Sequence, residues 1–383
     1  MLGRFWQKAR IGLFIVLWTF TALTAPVSVS AAPYAAIVMD ARTGEILHSR
    51  NADTRLHPAS LTKMMTLYIA FQAIERGEIT LDTPVKITSE AANEPPSKLG
   101  LRVGQEIRLR YLIRAAAVKS ANDAATAIGI ALEGSEAAFA RRMNRTAAAM
   151  GMTRTTFRNA NGLTETGHLS TANDMSILGR HLIYDFPQYY NLFSRRSADA
   201  GIAQVNNTNR RFLDAYRGAD GIKTGYTRAA GYNLVASAER GSERIIATVF
   251  GGSSTADRNA KVSELLDMGF ARAQPNVKIV MPSMGAMPAD NTVVVASASE
   301  STQGTAGKTI RITGLVTTSL RPAARPTAAS APLQVAEADT IAEALEMAIA
   351  GAEAFEEAGP SAEAAEADQI AAAIAASVAT QPR

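Results

Sequence analysis

Apolar and polar positions along the chain predict a domain with strands at both ends and helices between them. The stretch "YAAIVMDARTGEILHSRN" alternates and turns at "ARTG", which is typical of a β-hairpin. Residues 105–150 show helical periodicity with breaks at "VKSAND" and "EGSE". From about residue 219, "DGIKTGYTRAAGYNLVASAERGSERIIATVFGG" predicts consecutive strands. The pattern therefore favours a sheet built from both ends of the domain around a helical middle.

One predicted helix carries polar groups that an ordinary core helix does not need. In "HPASLTKMMTLYIAF" the apolar residues recur at helical spacing, and the pattern stops near Gly77. Ser60 stands at the start of this helix, and Lys63 follows one turn later on the apolar face. The alternative without any chemistry is an N-capping serine and a surface lysine that reaches out to solvent.

The first 32 residues have the pattern of a signal peptide. Arg4, Lys8 and Arg10 precede the apolar run "IGLFIVLWTFTAL", and the small residues of "SVSAAP" follow it. We expect cleavage after Ala31 or Ala32 and export to a periplasmic or other extracytoplasmic location. A retained membrane anchor is the alternative, because the run is borderline in length for spanning a bilayer.

Residues 276–383 differ in texture from the domain before them, residues 33–275. The stretches "VKIVMP", "TVVVASAS" and "TIRITGLV" predict short strands, and "SLRPAARPTAASAPL" is a Pro/Ala linker. "DTIAEALEMAIAGAEAFEEAG" predicts an acidic amphipathic helix. Its polar face carries Glu instead of Lys or Arg, which disfavours a membrane-surface anchor. We therefore expect a tail with a solvated or partner-binding helix.

Composition excludes several kinds of chemistry. The chain has 383 residues with 47% hydrophobic content, enough for one large core and a smaller part. It has no cysteine, so thiol nucleophiles and thiolate metal sites are excluded. Its four histidines show no metal-ligand spacing, so no metal site is expected. The formal charge of +4, with scattered arginines, gives no basis for nucleic-acid binding.

Three short motifs stand out. Ser60 and Lys63 form S-x-x-K, and these positions share one face of a helix. "SAN" at residues 120–122 lies at a predicted helix break, and "SRN" at Ser49 has the same spacing. "KTG" at residues 223–225 occurs once, inside a predicted strand, where glycine weakens the strand unless something approaches its backbone closely. Order and distance from Ser60 favour "SAN" over "SRN".

With these motifs the chain resembles the penicillin-recognising serine enzymes, specifically the low-molecular-mass penicillin-binding proteins that are D-alanyl-D-alanine carboxypeptidases. The likeness covers about residues 33–275 and rests on "AAIVMDARTGEIL", "PASLTKMMT", "KSANDAA", "NANGLTETGH", "DGIKTGYTRAAGYNLVASA" and "RNAKVSELLDMGF". It implies an α/β (α+β) architecture, the penicillin-binding protein/β-lactamase-like transpeptidase fold. In that fold an antiparallel sheet is flanked by helices and lies next to an all-helical subdomain, with a cleft between them.

The resemblance implies catalytic roles for three residues. Ser60 would be the nucleophile, Lys63 the base that activates it, and Ser120 the proton relay to the leaving amine. A serine hydroxyl is a poor nucleophile until a base takes its proton, and lysine serves as that base only if its pKa falls. Burial and a second cation, Lys223, both disfavour the Lys63 ammonium and would lower its pKa.

The resemblance also implies binding roles. Asn122 would clamp the substrate amide, and Lys223 with Thr224 would cradle the terminal carboxylate. Backbone N–H groups of Ser60 and Tyr226 would stabilise the oxyanion. Gly225 would let its strand close on the substrate.

At three further positions the chain departs from the family pattern or a second role is open. Arg258 stands where these enzymes often place an extra cation for the carboxylate, and a surface arginine is the alternative. The family commonly has histidine after K-T-G where this chain has Tyr226, which affects the expected pH dependence and substrate preference. Asp174 in "STANDMS" either orders a loop below the site or serves a structural role at a helix N-terminus.

The expected reaction is removal of the terminal D-alanine from peptidoglycan stem peptides through an acyl-serine, without metal or organic cofactor, and β-lactams should inhibit it. A DD-endopeptidase acting on cross-linked peptidoglycan would need the same residues. A non-catalytic peptidoglycan-binding scaffold would not need a lysine with a low pKa. A class A β-lactamase needs a second carboxylate, and no E-x-x-x-N or E-x-x-L-N pattern lies between Ser120 and Lys223. The G-x-S-x-G elbow of Ser–His–Asp hydrolases is also missing.

Overall fold

The structure, a computed structural model, describes residues 33–288. Its centre is a five-stranded antiparallel sheet in the order β2-β1-β9-β8-β7, and two small two-stranded antiparallel sheets, β3–β4 and β5–β6, lie outside it. The described strands are β1 (Ala35–Asp40), β2 (Ile46–Arg50), β3 (Pro84–Lys86), β4 (Glu106–Arg108), β5 (Ser197–Asp199), β6 (Gln204–Asn206), β7 (Ala219–Thr227), β8 (Gly231–Arg240) and β9 (Glu243–Gly252). The first hairpin and the last three strands thus share one sheet, as the alternating pattern predicted.

Nine α-helices lie within the described residues. They are α1 (Lys63–Glu75), α2 (Ser89–Ala92), α3 (Leu109–Arg114), α4 (Asn122–Glu133), α5 (Glu136–Ala149), α6 (Ala172–Asp185), α7 (Pro187–Tyr190), α8 (Arg210–Ala215) and α9 (Thr255–Arg272). A 3-10 turn, Ala59–Thr62, leads into α1, and a π-turn, Ala115–Lys119, follows α3 directly and precedes α4. The predicted breaks at "VKSAND" and "EGSE" fall between α3 and α4 and between α4 and α5, so the helical middle is confirmed.

Helices cover both faces of the sheet. On one face α9 packs Val262 and Leu266 against Val38, Ala236 and Ala247 of the strands. On the other face lie α6, α1 and the larger hydrophobic cluster, which extends into the helical region. Because both faces are covered, every residue of β1 is buried, and its sequence is nearly continuous in apolar residues.

The helix α1 is buried on all sides. Its first eleven residues, 63–73, are all buried, so it is a central helix and not a surface helix with one apolar stripe. The interpretation of Lys63 as a lysine that reaches solvent is therefore wrong, because its side chain has no exposed surface. Ser60 is also not the N-cap of α1, since it lies in the 3-10 turn before it.

The chain continues along this domain after residue 275. Val280 N donates to the Arg42 carbonyl, and Gly285 N donates to the Ala149 carbonyl. The strand predicted for "VKIVMP" is wrong, because residues 277–282 have no regular secondary structure and Ile279, Val280 and Met281 are exposed. The other tail segments and the signal peptide lie outside the described residues. Between residues 33 and 288 no helix combines the length and the apolar character that crossing a bilayer requires.

Candidate active site

Ser60 lies in a tight turn whose shape depends on a close backbone contact. The preceding residue, Ala59, has a φ of 49°, a left-handed conformation that costs a non-glycine residue about 1–3 kcal/mol. Gly162 packs directly on this turn: a Cβ there would lie 2.0 Å from the Ala59 carbonyl oxygen. The turn places the partly buried Ser60 one residue into the 3-10 segment and three residues before Lys63.

Lys63 is positioned to act on the Ser60 hydroxyl. Its Nζ lies 3.1 Å from Ser60 Oγ, 2.7 Å from Asn122 Oδ1 and 2.7 Å from the Asn161 carbonyl oxygen. A neutral amine has two N–H groups and one lone pair. The amide and carbonyl oxygens can only accept hydrogen bonds, so they take the two N–H groups and leave the lone pair directed at Ser60. The arrangement suits an amine that removes a proton from Ser60.

Two effects lower the pKa of Lys63 well below its usual value. Burial is the larger effect, because it penalises the charged ammonium, and the Lys223 cation is the second. The carboxylates of Glu94 and Asp123 oppose this and raise the pKa. The expected roles of burial and of Lys223 are thus both present, and the lowered pKa makes Lys63 available as a base at lower pH than an exposed lysine.

Ser120 and Asn122 enter the site from the helical side. Ser120 ends the π-turn with a φ of 67°, and its Oγ accepts a 2.8 Å hydrogen bond from Lys223 Nζ. The Asn122 amide has a defined orientation, since Oδ1 accepts from Lys63 and Nδ2 donates to the Pro95 carbonyl at 2.8 Å. Asn122 therefore orients the amine of Lys63. The second lone pair of its Oδ1 can still accept a hydrogen bond from a substrate.

Lys223 links the sheet to the helical region. It lies on β7, is 1% exposed, and donates to Ser120 Oγ and to the Thr224 carbonyl. Burial, and after it the charge of Arg258, lower the pKa of Lys223 to about 7. An anion bound beside Lys223 would favour its charged form, so this site gains positive charge when a carboxylate arrives.

The next residues of β7 line the same edge of the sheet. Thr224 Oγ1 lies 2.8 Å from Thr208 Oγ1. The side chain of Tyr226 is 50% exposed and packs on Tyr232, with ring centroids 4.4 Å apart. The close approach expected at Gly225 is present, but it is made by the Ser60 turn: a Cβ at Gly225 would lie 2.9 Å from the Pro58 carbonyl oxygen.

Substituting Gly225 with alanine should reduce activity about 10- to 100-fold, because β7 must shift away from the Ser60 turn and misplace its backbone donors. The measurement is kcat/KM for hydrolysis of a D-Ala-D-Ala peptide, the substrate that the resemblance implies. Gly285→Ala is the matched control, since the new Cβ would meet only the Ala149 carbonyl oxygen at 3.5 Å. Equal activity of the two variants would show that the close approach has no functional consequence.

Arg258 and Asp174 are both buried. The guanidinium of Arg258 donates to Asn259 Oδ1, lies 3.5 Å from the Asn233 carbonyl, and has a pKa lowered to about 10 by burial. The alternative of a surface arginine is therefore wrong, as Arg258 is 4% exposed.

Asp174 lies in the first turn of α6, and its Oδ2 accepts from Arg154 N and Thr155 Oγ1, which fixes the loop that contains these two residues.

The second S-x-N match, at Ser49, is not part of this arrangement. Ser49 lies on the edge strand β2, is exposed, and pairs with Ile37. Order and distance along the chain had favoured Ser120, and the structure places Ser120 beside Lys223.

Several supporting residues were missed. Asn161 acts through its main-chain carbonyl, and Asn233 Nδ2 donates to the His57 and Pro58 carbonyls, which holds the turn before Ser60. Glu94 accepts from Asn161 Nδ2 and Thr126 Oγ1. The sequence signals for them were the stretches "NANGLTETGH", which contains Asn161, and "DGIKTGYTRAAGYNLVASA", which contains Asn233. Backbone acceptors leave no pattern of side-chain types, so spacing could not assign them.

His168 is a buried neutral histidine beside the start of α1. Its Nδ1 accepts from Arg158 N, so the proton lies on Nε2, which donates to Thr62 Oγ1 at 2.9 Å. Burial, followed by the charges of His57 and Arg158, lowers the pKa of His168 to about 4.

The free energy of unfolding should decrease as pH falls from about 6.5 to about 4. In this window the unfolded chain binds a proton at His168 that the folded protein excludes, so the stabilisation is complete above pH 6.5 and lost below it. The lowered pKa corresponds to at most about 3 kcal/mol. Urea unfolding of the wild type, His168→Gln and the control His48→Gln at pH 4.5 and 7 measures this. The pH dependence should shrink in His168→Gln alone; an undiminished dependence there would contradict the assignment.

No group of three or more His, Asp and Glu side chains that could hold a metal ion occurs between residues 33 and 288.

Comparison with known proteins identifies relatives over the region that holds this site. The D-alanyl-D-alanine carboxypeptidase family matches residues 21–254. The D-alanyl-D-alanine carboxypeptidase DacF of Bacillus subtilis is 38% identical over 242 residues, 62% of this chain and 62% of that protein. DacC of Escherichia coli is 36% identical over 266 residues, 67% of this chain and 66% of that protein. The chain thus matches less than two thirds of the length of these two curated relatives.

Solved structures confirm the expected fold. Penicillin-binding protein 5 from Haemophilus influenzae aligns with a TM-score of 0.60 and 34% identity over 65% of this chain and 73% of that chain. Penicillin-Binding Protein D2 from Listeria monocytogenes, in its ampicillin-bound form, aligns with a TM-score of 0.57 and 32% identity over 64% of this chain and 100% of that chain. The sheet with helices on both faces is therefore the penicillin-binding protein fold.

Proposed function

We propose, since this chain belongs to the D-alanyl-D-alanine carboxypeptidase family, that it removes the terminal D-alanine from peptidoglycan stem peptides as a serine hydrolase. The observation that carries the proposal is the fully buried Lys63 amine, held by two acceptors with its third contact on Ser60 Oγ. A protein that only binds peptidoglycan has no use for such a group, because burying an amine is costly.

The acylation step follows from this geometry. Ser60 Oγ attacks the carbonyl carbon of the penultimate D-alanine while its proton passes to Lys63 Nζ. The carbonyl oxygen becomes an oxyanion, which the backbone N–H groups of Ser60 and Tyr226 stabilise. Ser120, hydrogen-bonded to Lys223, relays the proton from the Lys63 ammonium to the leaving nitrogen, so Lys63 is neutral again; the C–N bond breaks and D-alanine departs. The remaining peptide is bound to Ser60 as an ester.

Deacylation repeats the same proton transfers with water. Lys63 takes a proton from a water molecule that attacks the ester carbonyl, and the C–O bond to Ser60 breaks. The Ser60 oxygen regains a proton, and the shortened peptide leaves as a carboxylic acid. One base thus serves both half-reactions without metal or organic cofactor.

The substrate carboxylate binds on the β7 side of the site. Lys223 and Thr224 contact it, and Arg258 behind them adds positive charge. The Asn122 oxygen accepts the substrate amide N–H. This places the scissile carbonyl between Ser60 Oγ and the two backbone donors, with Gly225 allowing β7 to lie close to the Ser60 turn.

β-Lactams are the expected inhibitors. A relative from Listeria monocytogenes has been solved in ampicillin-bound and cefotaxime-bound forms. When Ser60 opens the lactam ring, the leaving nitrogen stays attached to the acyl group, so it cannot diffuse away. The retained fragment obstructs water, and the acyl-Ser60 ester persists.

The substrate also sets the location of the enzyme. Peptidoglycan lies outside the cytoplasm, so we propose that residues 1–32 direct export and that residues 33–275 form the catalytic domain, with residues 276–383 as a tail whose first part is hydrogen-bonded to that domain at Val280 and Gly285. Signal removal is tested by N-terminal sequencing of the protein from the cell envelope. A mature N-terminus at Ala32 or Pro33 is expected, and an intact Met1 would show a retained anchor.

Mass spectrometry of two substrates tests the proposed reaction. The purified protein is incubated with a D-Ala-D-Ala pentapeptide and with a cross-linked muropeptide dimer. Loss of one alanine from the pentapeptide, with the dimer intact, supports the carboxypeptidase. Cleavage of the dimer alone would identify a DD-endopeptidase on the same residues, and no change in either would favour a non-catalytic peptidoglycan-binding scaffold.

A further inference from the structure

The loop between α2 and β4 is fixed to the start of α4, next to the catalytic amine. Asn122 Nδ2 donates to the Pro95 carbonyl at 2.8 Å, and Asn122 N donates to the Ser97 carbonyl at 2.7 Å. The Asp123 carboxylate accepts from the backbone N–H groups of residues 99, 100 and 101. Because the loop is held at several points, a side chain at its start has a defined position.

Glu94 is that side chain, and two hydrogen bonds connect it to Lys63. Its Oε1 accepts from Asn161 Nδ2 at 2.8 Å and from Thr126 Oγ1 at 2.7 Å. The carbonyl of the same Asn161 accepts from Lys63 Nζ at 2.7 Å. Glu94 therefore fixes the residue whose carbonyl orients the amine.

The backbone of Ala160, the residue before Asn161, is held by two further hydrogen bonds. Ala160 N donates to Glu136 Oε1, and the Ala160 carbonyl accepts from Thr66 Oγ1 on α1. Glu136 and Glu94 thus contact neighbouring parts of one short segment. Of these two glutamates, only Glu94 contacts the side chain of Asn161, whose Nδ2 also donates to Thr126 Oγ1, and the negative charge of Glu94 acts on Lys63.

We propose that Glu94 is a positioning residue for the acylation step, holding Asn161 by its side-chain amide and acting on Lys63 through its negative charge. The inference rests on the proposed function of Lys63 as the base. It assigns to the loop carboxylate the task of setting the pH range in which that base works.

The charges around the two groups give the direction of the effect. Lys63 faces one cation, Lys223, and the carboxylates of Glu94 and Asp123. Glu94 faces Lys63, the exposed Glu90 and Glu136, and burial is the main cause of its own raised pKa. The Glu94 carboxylate stabilises the Lys63 ammonium, so removing its charge should lower the pKa of Lys63 further.

Glu94→Gln separates charge from geometry. The glutamine oxygen can still accept from Asn161 and Thr126, while the negative charge is gone. More Lys63 is then neutral at low pH, and the ascending limb of the pH–rate profile should move down by roughly 0.5–1 pH unit. The plateau rate should stay within about twofold. Glu94→Ala removes the acceptor too, and its plateau rate should fall about tenfold, as expected when a positioned base loses support.

The test is the second-order rate constant for acylation by a fluorescent penicillin between pH 5 and 9. The wild type, Glu94→Gln and the control Glu90→Gln are compared, since Glu90 is an exposed neighbour on α2. The proposal is supported if the ascending limb of the pH–rate profile moves to lower pH in Glu94→Gln and moves less than half as far in Glu90→Gln.

The proposal would be overturned if the ascending limb of the pH–rate profile of Glu94→Gln stays at the wild-type pH or moves to higher pH. Equal shifts of this limb in Glu94→Gln and Glu90→Gln would overturn it too. Failure of the underlying function looks different, because the wild type itself would then show no acylation at any pH. Thermal unfolding of each variant identifies a loss of fold. If Glu94→Ala is unfolded, the Glu94→Gln profile still decides.

Discussion

Ser60→Ala loses hydrolysis and penicillin labelling together. In the proposed mechanism the Ser60 oxygen forms the bond to the substrate carbonyl, and nothing in alanine replaces it. Removal of a catalytic serine lowers kcat by about a millionfold, so activity should fall to the uncatalysed background. The fold should persist, because Lys63 keeps two hydrogen-bond acceptors, Asn122 Oδ1 and the Asn161 carbonyl.

The measurement pairs D-alanine release with gel detection of a fluorescent penicillin. Ser49→Ala is the matched control, since Ser49 is an exposed serine on β2 outside the site. It should keep wild-type activity and labelling. Undiminished labelling of Ser60→Ala would refute Ser60 as the nucleophile.

Lys63→Met gives the second large effect. Methionine fills a similar volume but cannot take a proton, so the acylation rate should fall about 10²- to 10⁴-fold, the range that a positioned general base contributes. The substitution leaves Asn122 Oδ1 and the Asn161 carbonyl without their donor, which destabilises the folded state. It also removes an amine whose burial is costly, and this offsets part of that destabilisation. We therefore expect a folded protein that acylates slowly at every pH.

Stopped-flow acylation by penicillin from pH 5 to 10 measures this loss. In the wild type the rate rises with pH as Lys63 loses its proton, and Lys63→Met should lack that rise. Lys86→Met, at an exposed position of β3, controls for the loss of one positive charge. Retained turnover in Lys63→Met would contradict the role of the base.

The sequence predicted those parts of the fold in which local pattern and tertiary structure agree. Turn signals and β-rich runs identified the first hairpin and the last three strands, because each of these strands pairs with a strand next to it in the chain. The strand expected at "VKIVMP" did not form: Val280 makes one backbone hydrogen bond to Arg42 in an otherwise irregular, exposed segment. A short apolar run needs a partner strand, and sequence alone does not supply it.

For the candidate site, the motifs identified side chains but not the backbone that holds them. Hydrogen bonds join Lys63 to Ser60 and Asn122, and a separate hydrogen bond joins Ser120 to Lys223. Alanine and serine have no preference for a positive φ, so tertiary packing imposes the left-handed conformations of Ala59 and Ser120.

The sequence also did not predict which charged side chains are buried. Arg258 and Lys63 are residue types usually found at the surface, and only the packing around them reveals their burial. Glu94 precedes two prolines in an apparent surface loop, where its contact with Asn161 has no local signal. Long-range contacts of this kind require the fold.

The most direct test of the acyl-serine mechanism is mass spectrometry of the wild-type protein after incubation with benzylpenicillin. Intact mass followed by peptide mapping should show one adduct with the full mass of the antibiotic, located on Ser60. An unmodified protein, or an adduct on any other residue, would contradict the mechanism.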